Sequence, residues 1–522
     1  MIPFGKILKF RSYDTAMLER MKKDLVLSAP LPFWQHCKKY YGDRAGRDPY
    51  IEELKLLDLL FSSLQNEPRL IAIHKLYTND KAVAETYADM MQKRKELTAA
   101  TSPVTLGELL SLANAYLLRA GKHNSLPVAI SEEEDQGLRL IAAEPLPKCE
   151  NDVFVLLRPD LKQEENTADP NSLLEGLALT SHIKHLQGLF AIGILPSLLR
   201  ECNAFRISLD AICTEQTPSF ASFLTRSFRK GYLARISPNH LAEVSSAAEN
   251  QGYSAMVIAQ ADTGGSMTLL HHKKELFSLD TSFLKTMFTQ QRVTAKLQNE
   301  GDGTLLSEEA LPKEQDAIRL HAFCCNQTRV APRDAFFTNT LYTALLAVIR
   351  QCLCGSDYTE QRLCTELRIP KKLNEQVCGN ILSIVIALYR LQAELGILSA
   401  QPRTVVDRDL STPSLSVLAC GDGAPLPTTV QDCGHRTFTL RVDAGACGFP
   451  DFEALRALLT RLKDLRRGGT LVSARAEISK DTSSPIQIFL ESNEVVEQVD
   501  STDSALLESE NPENFSEETK KN

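Results

Sequence analysis

A chain of 522 residues, 43% of them hydrophobic, is long enough for about three or four domains of roughly 100–200 residues and apolar enough to fill their cores. Its 66 acidic and 58 basic residues give a net charge of -8, and residues 491–522 hold ten Asp/Glu against two Lys, so that 2 − 10 = −8 and the rest of the chain sums to zero. A neutral body without a basic stripe excludes nucleic acid as a partner. The acidic end reads as a disordered, solubilising tail or a docking segment. No stretch approaches the roughly 20 apolar residues of a membrane span, and the start, MIPFGKILKFRSYD, lacks the apolar centre of a signal peptide. The expectation is a cytoplasmic protein that meets no membrane. Thirteen cysteines without CxxC pairs point to reduced, buried thiols rather than to disulfides or structural zinc.

In chain order, YDTAMLERMKKDL and IEELKLLDLLFSSL within residues 14–64 have the period of two amphipathic helices, separated by a Pro- and Gly-punctuated loop. AVAETYADMMQKRKEL and LGELLSLANAYLLRAG, parted at Ser102 and Pro103 and stopped by Gly121, predict two more. DVFVLL, from Asp152, is a strand closed by Pro159 and followed by an exposed polar loop. SLLEGLALTSHIKHLQGL predicts a helix, after which YLARISP, HLAEVSSAAENQG, YSAMVIAQ and GSMTLLH alternate strand with helix. A boundary falls in NEGDGTLLSEE, and long helices over 338–355 and 373–396 follow. The strands SLSVLAC and TFTLRVD, the helix FEALRALLTRLKDLRRG and the strand TLVSARAEI complete the series. This mixture places the chain in the α+β class.

Four stretches stand in a telling order. The first is FWQHCKKYYGDRAGRDPYIEELKLLDLLF, with Arg47-Asp48-Pro49 before a helix, and the second is TLGELLSLANAYLLRAGKHNSL. The third is YSAMVIAQADTGGSMTLLHHKKELFSLDTSFLKT, in which Asp280, Phe283 and Leu284 close a strand pair with a short helix. The fourth runs from TLYTALLAVIRQCLCGSDYTEQRLC through NEQVCGNILSIVIALYRLQAELGI to PSLSVLACG and resumes at GFPDFEALRALLTRLKDLRRGGTLVSARA. Together they cover most of residues 33–478 and resemble phosphoribosylformylglycinamidine synthase of the large single-chain type, which contains two tandem halves similar to aminoimidazole ribonucleotide synthetase (PurM-like).

The resemblance implies tandem PurM-like mixed sheets with packed helices, preceded by a helical linker domain. It divides the chain into a helical N-terminal or linker domain (1–80), a degenerate first PurM N-terminal-like domain (81–205) and a first C-terminal-like domain (206–295). A second N-terminal-like domain (296–425), a partial second C-terminal-like domain (426–480) and an acidic disordered tail (481–522) follow. By resemblance alone, ATP and Mg²⁺ are the cofactors, purine biosynthesis is the setting, and the two halves pair like a dimer.

The family's reaction activates an amide oxygen with ATP and places ammonia on the carbon, which needs Mg²⁺-binding carboxylates and cations around a phosphoryl group in flight. Where the family has an Asp-His-Cys-Arg-His segment this chain reads FSSLQNEPRLIAI, and only Asp58, just upstream, keeps its place. The family's Asn-Glu-Thr-His-Asn-His-Pro run corresponds to RPDLKQEENTADP, without either histidine. After Gly396-Ile397, LSAQPRTVVD replaces a Gly-Gly-Lys-Asp-Ser segment, so a backbone cradle and its lysine are lost together. Arg403 is no assured substitute. Glycine is scarce, 25 of 522, against an average of about 7%. The chain ends soon after the SARA segment, from which the resemblance implies that the rest of the second half and the glutaminase region are missing.

The remaining candidates have plainer readings. Gly445-Ala446-Cys447-Gly448 has the flavour of a nucleophile elbow, yet no histidine lies downstream; it reads as a turn before a helix. His182 and His185, three apart on the expected helix, could share a face and a metal, but read as a solvated face. His271-His272 reads as a hairpin tip whose adjacent side chains point to opposite sides. Cys324-Cys325, Cys352 and Cys354 read as small buried hydrophobes, and Asp262-Thr263-Gly264-Gly265 as a hairpin turn without the Lys-Ser/Thr of a phosphate loop. No catalytic or metal-binding residue is assigned. Three readings follow: a catalytically inactive paralogue with a binding or scaffold role toward a protein partner, the true synthase among them; a divergent synthase fed with ammonia by a separate glutaminase; or shared folding alone.

Overall fold

The structure is a computed structural model that describes residues 7–64, 71–97, 104–122, 129–133, 137–141, 151–159, 173, 176–177, 182–189, 193–212, 219–228, 230–286, 292–297, 318–320, 323–330, 336–399, 403–407, 409–424, 436–445, 448–479, 481, 483–492 and 508–509. The chain divides into two compact units, one of residues 1–67 and 127–291, the other of 68–126 and 292–522. Each is discontinuous in sequence: residues 68–126 fold with the second half of the chain.

The first unit begins with three helices, Thr15–Asp24, Leu31–Tyr40 and Ile51–Leu64. Asp14 caps the first, its carboxylate accepting from the Met17 N–H at 2.8 Å. The second occupies the expected loop. Pro32 sits in its first turn, where a missing N–H costs nothing, and Phe33, Trp34, Cys37 and Tyr40 form one buried face. The proline that reads as a breaker is a helix start.

A seven-stranded mixed sheet follows, in the order Lys274–Asp280, Ser266–His271, Phe205–Ser208, Tyr253–Ala261, Val153–Pro159, Tyr232–Ile236, Ile183–Gly188. Val153–Pro159 is antiparallel to both neighbours, and its first five residues are all buried, which accounts for the unbroken apolar run in DVFVLL. The expected helix through SHIKHLQGL is instead the edge strand Ile183–Gly188, antiparallel to Tyr232–Ile236. Tertiary pairing overrides the local periodicity there. Residues 262–265 are not a hairpin turn: they join Tyr253–Ala261 to Ser266–His271 across the intervening Phe205–Ser208 strand. The hairpin lies one turn later, between Ser266–His271 and Lys274–Asp280, with His272 and Lys273 both at positive φ (50° and 62°), as a tight two-residue connection requires.

In the second unit, a six-stranded sheet runs Ile318–Leu320, Phe323–Val330, Ser414–Asp422, Arg362–Pro370 and Leu398–Ser399, and Arg403–Asp407 also pairs with Arg362–Pro370. The helices Phe336–Leu353 and Glu375–Leu395 supply much of its core. Glu375–Leu395 is long and apolar enough to cross a membrane, with a mean hydropathy of 1.2, but 83% of that window is buried inside the protein, which makes it a core helix. Asn374 caps it through the Val377 N–H at 2.8 Å, and Gly396, at φ 63°, ends it in the left-handed conformation.

The four-stranded sheet runs Leu471–Ile478, Ile486–Ser492, Arg436–Val442, Glu508–Ser509. Here the expected disorder from 481 onward gives way to structure. Ile486–Ser492 is an interior strand with alternating burial, and Glu508–Ser509 pairs with Phe438–Thr439. The acidic composition hid the period-2 pattern of IQIFLES. The remainder of 491–522, the 160–172 loop and the boundary at NEGDGTLLSEE lie outside the described residues.

One close approach inside this unit is diagnostic. A Cβ at Gly379 would stand 2.1 Å from the Lys296 carbonyl oxygen, so the Glu375–Leu395 helix rests backbone to backbone on the Arg292–Leu297 strand. Gly→Ala inside a helix ordinarily stabilises by about 1 kcal/mol, whereas forcing atoms into a packed interface costs about 1–3 kcal/mol. Gly379→Ala is therefore expected to lower the denaturation midpoint; a raised midpoint in urea would show that helix and strand do not touch.

Candidate functional site

Two of the four telling stretches meet in the first unit through ion pairs and rings. Glu53, fully buried in the first turn of Ile51–Leu64, accepts from Arg47 Nη1 at 2.9 Å and Nη2 at 2.6 Å, from Tyr41 Oη at 2.7 Å and from the Tyr50 N–H at 3.3 Å. Burial and then the Glu53 charge push the Tyr41 hydroxyl far up, so it acts only as a donor. Arg47 Nη2 also donates to the Ser278 carbonyl at 3.2 Å. The Asp280 N–H donates to Tyr40 Oη at 2.9 Å, and the Tyr40 ring stacks on Phe283 with centroids 3.8 Å apart. Arg47, Asp280 and Phe283 thus staple the helical segment onto the edge strand Lys274–Asp280. This arrangement builds a scaffold and presents no reacting group.

Asp58 is committed in the same way. Its carboxylate accepts from the Ser28 N–H at 2.9 and 3.0 Å, from Ser28 Oγ at 3.0 Å and from the Ala29 N–H at 2.7 Å, and its side chain is buried. A carboxylate with its lone pairs taken by backbone donors is a loop anchor. Removing it strands the buried Ala29 N–H, which costs about 1–3 kcal/mol. Asp58→Ala should destabilise by about that amount and Asp58→Asn by less, measured by chemical denaturation; an unchanged midpoint for both would show that the carboxylate is free.

Asp152 and Arg235 are buried charges that sequence reasoning missed. Asp152 Oδ1 lies 2.7 Å from Lys184 Nζ and its Oδ2 3.3 Å from Arg235 Nε. The signal was faint: an acid just before an apolar strand and an arginine within one. His185, buried, pairs with Glu201; it does not share a helix face with His182, because both belong to the edge-strand segment. His182 instead stacks on His240, with Glu243 alongside.

At the hairpin tip the two imidazoles do converge, contrary to the expectation from strand alternation. His271 Nδ1 and His272 Nδ1 stand 3.5 and 3.4 Å from Asp210 Oδ1, because positive φ at His272 turns that residue out of the strand. The His272 N–H bonded to Asp210 at 2.9 Å, and then the imidazoles, hold that carboxyl below its ordinary value.

In the second unit, the described parts of the segment standing where the resemblance expects a glycine-rich phosphate cradle are extended. Leu398 and Ser399 pair with Arg362 and Leu363, and Arg403–Asp407 with Glu366–Pro370, both parallel. Asn114 Oδ1 accepts the Ser399 N–H at 2.7 Å, and its Nδ2 donates to the Ser399 carbonyl. A cavity of ≈ 10 Å³ lies beneath, lined by Leu109, Leu363, Thr365, Val385, Gln392 and Ser399 among others. That is room for one water, and Thr365 Oγ1, Gln392 Nε2 and Ser399 Oγ, all without a protein partner, are suited to bind it. The side chain of Arg403, like Cys447, Cys324 and Cys325, lies outside the described residues. Cys352 and Cys354 are buried, and burial raises the Cys352 thiol, which makes it inert.

Asp357, in the SDYTEQ turn, accepts from Lys463 Nζ at 2.9 Å and from the Thr359 N–H and Oγ1 at 3.0 and 2.8 Å. Burial pushes its carboxyl up, but these donors outweigh burial and leave it below the ordinary 3.8. Lys463 is held above its ordinary 10.5, first by the same bond. The pair's stabilisation is thus complete above about pH 4 and lost as pH falls through the lowered carboxyl value; at the alkaline end it is complete below about 10.5 and lost above it. The thermal midpoint of Asp357→Asn should lie below that of the parent at pH 7, and the gap should close as the pH falls below 3.8 through the lowered carboxyl value. A gap that persists in acid would exclude the linkage.

No protein-family model and no curated protein sequence matches this chain. Among solved structures, it is similar to Thermotoga maritima PurL complexed with AMPPCP over 89% of this chain and 97% of that one, at 10% identity and a TM-score of 0.44. With the same protein complexed with FGAR the likeness covers 90% and 98%, at 11% identity and a TM-score of 0.42. The thiamine-monophosphate kinase of Stenotrophomonas maltophilia is similar over 36% of this chain and 82% of that one, at 14% identity and a TM-score of 0.23.

Proposed function

We propose that the chain is a catalytically inactive relative of phosphoribosylformylglycinamidine synthase that keeps the PurM-like framework and acts in the cytoplasm by binding a protein partner. The observation that carries this reading is the fate of the segment after Gly396. A phosphate cradle needs several backbone N–H groups turned toward one anion, and here the described part of that segment is spent on strand pairing with Arg362–Pro370 and on the Asn114 amide. Asp58, the acidic residue that keeps the family's place, is occupied by the Ser28 and Ala29 backbone. The cavity under Ser399 takes a water and not a nucleotide, since ligand pockets run to roughly 300–1,000 Å³.

Purified protein given formylglycinamide ribonucleotide, Mg-ATP and ammonium is expected to release no phosphate above background, and its gene should not rescue a purine auxotroph lacking the synthase. Substrate-dependent phosphate release, or rescue, would establish the divergent-synthase reading in its place.

A further inference from the structure

His182 is far along the chain from His240 and Glu243, which stand three residues apart, and the three come from three different elements. His182 directly precedes the edge strand Ile183–Gly188; His240 closes the turn Pro238–His240 that leaves the neighbouring strand; Glu243 lies in the first turn of the helix Leu241–Glu249. His182 Nε2 is 3.2 Å and His240 Nδ1 3.6 Å from Glu243 Oε2, and all three donor atoms lie within 4.8 Å of one another. In a tetrahedral zinc site with bonds of about 2.0–2.1 Å, ligand atoms are about 3.3 Å apart. The two carboxylate edges therefore already have the size of a coordination polyhedron.

We propose that His182, His240 and Glu243 form a site for one divalent transition-metal ion of the zinc type, with a fourth position open to water or to a donor from outside. Two imidazoles and one carboxylate suit such ions and disfavour Mg²⁺, which takes oxygen ligands. The side chains are 33%, 39% and 55% exposed, so an ion can enter without unfolding and one face of it stays accessible. The imidazole planes are only 12° apart, with centroids at 3.6 Å. An ion must lie in the plane of each ring that binds it, so binding turns one imidazole about its terminal torsion, which is broad and soft. The site clamps the edge of the seven-stranded sheet to the helix after its neighbour. The Asp210–His271–His272 group is the internal control: its donor spacings are similar, but its carboxylate already accepts the His272 N–H.

The test uses the full chain, freed of metal by a chelator and dialysed, titrated with Zn²⁺ by calorimetry and with Co²⁺ by visible absorption. One equivalent is expected to bind saturably, with the intense Co²⁺ bands of a four-coordinate site. His182→Ala, His240→Ala and Glu243→Gln should each weaken that binding by roughly tenfold or more, while the double variant His271→Ala/His272→Ala leaves it intact. Glu243→Gln keeps shape and surface, so a loss there with unchanged circular dichroism excludes misfolding as the cause. Absence of saturable binding, or binding that survives all three substitutions, or binding that depends only on His271 and His272, would overturn the proposal. None of these outcomes bears on synthase activity.

Discussion

A buried backbone N–H has to find a partner, and in the second unit this requirement converges on the strand Arg362–Pro370. Eight of its nine residues are buried, and only Arg368 is less enclosed. One of its sides is paired along Ser414–Asp422. The other would be an open edge in an apolar core if Leu398–Ser399 and Arg403–Asp407 did not cover it. Covering that edge fixes Leu398–Ser399 and Arg403–Asp407 as extended chain. A loop that wraps an anion and a strand that completes a sheet make incompatible demands on the same N–H groups, and the sheet prevails here. The Asn114 amide, bonded to both sides of the Ser399 peptide, holds that choice in place.

The first unit solves a different problem. Its charged residues are mostly paired within the fold: Arg47 with Glu53, Lys184 and Arg235 with Asp152, Arg206 with Asp262. Such pairs add little net stability when exposed and become costly to break when buried. They fix register and orientation. Arg47, through Ser278, and Asp280, through its backbone N–H, hold elements together. Among the described residues two groups of donor atoms gather near the surface, and of these His182, His240 and Glu243 stand outside the resembling stretches.

Much of the architecture was legible in the order of residues. The helices Phe336–Leu353, Glu375–Leu395 and Phe452–Arg467 and the strands Val153–Pro159, Ser414–Asp422 and Leu471–Ile478 follow helical periods, short apolar runs or alternation that are legible in the residues. Short elements escaped for specific reasons. Pro32 reads as a breaker although it suits a first helical turn, and IKHLQG has enough apolar spacing to pass for helix until a partner strand is present. IQIFLES sits in an acidic context that masks its alternation. No sequence pattern linked His182 to His240, because they flank neighbouring strands joined by sheet pairing and not by spacing along the chain.

The sequence by itself determined the α+β class and the long elements, since these are properties of residue type and period. Only the tertiary structure decided what the polar residues among them do. Whether Asp58 is a reactive acid or an anchor depends on which N–H groups reach it. Whether Leu398–Ser399 and Arg403–Asp407 are loop or strand depends on a sheet edge contributed by residues 36 and 37 positions earlier. Whether two histidines meet depends on strand order, which is settled by long-range pairing energy and is invisible to any local window.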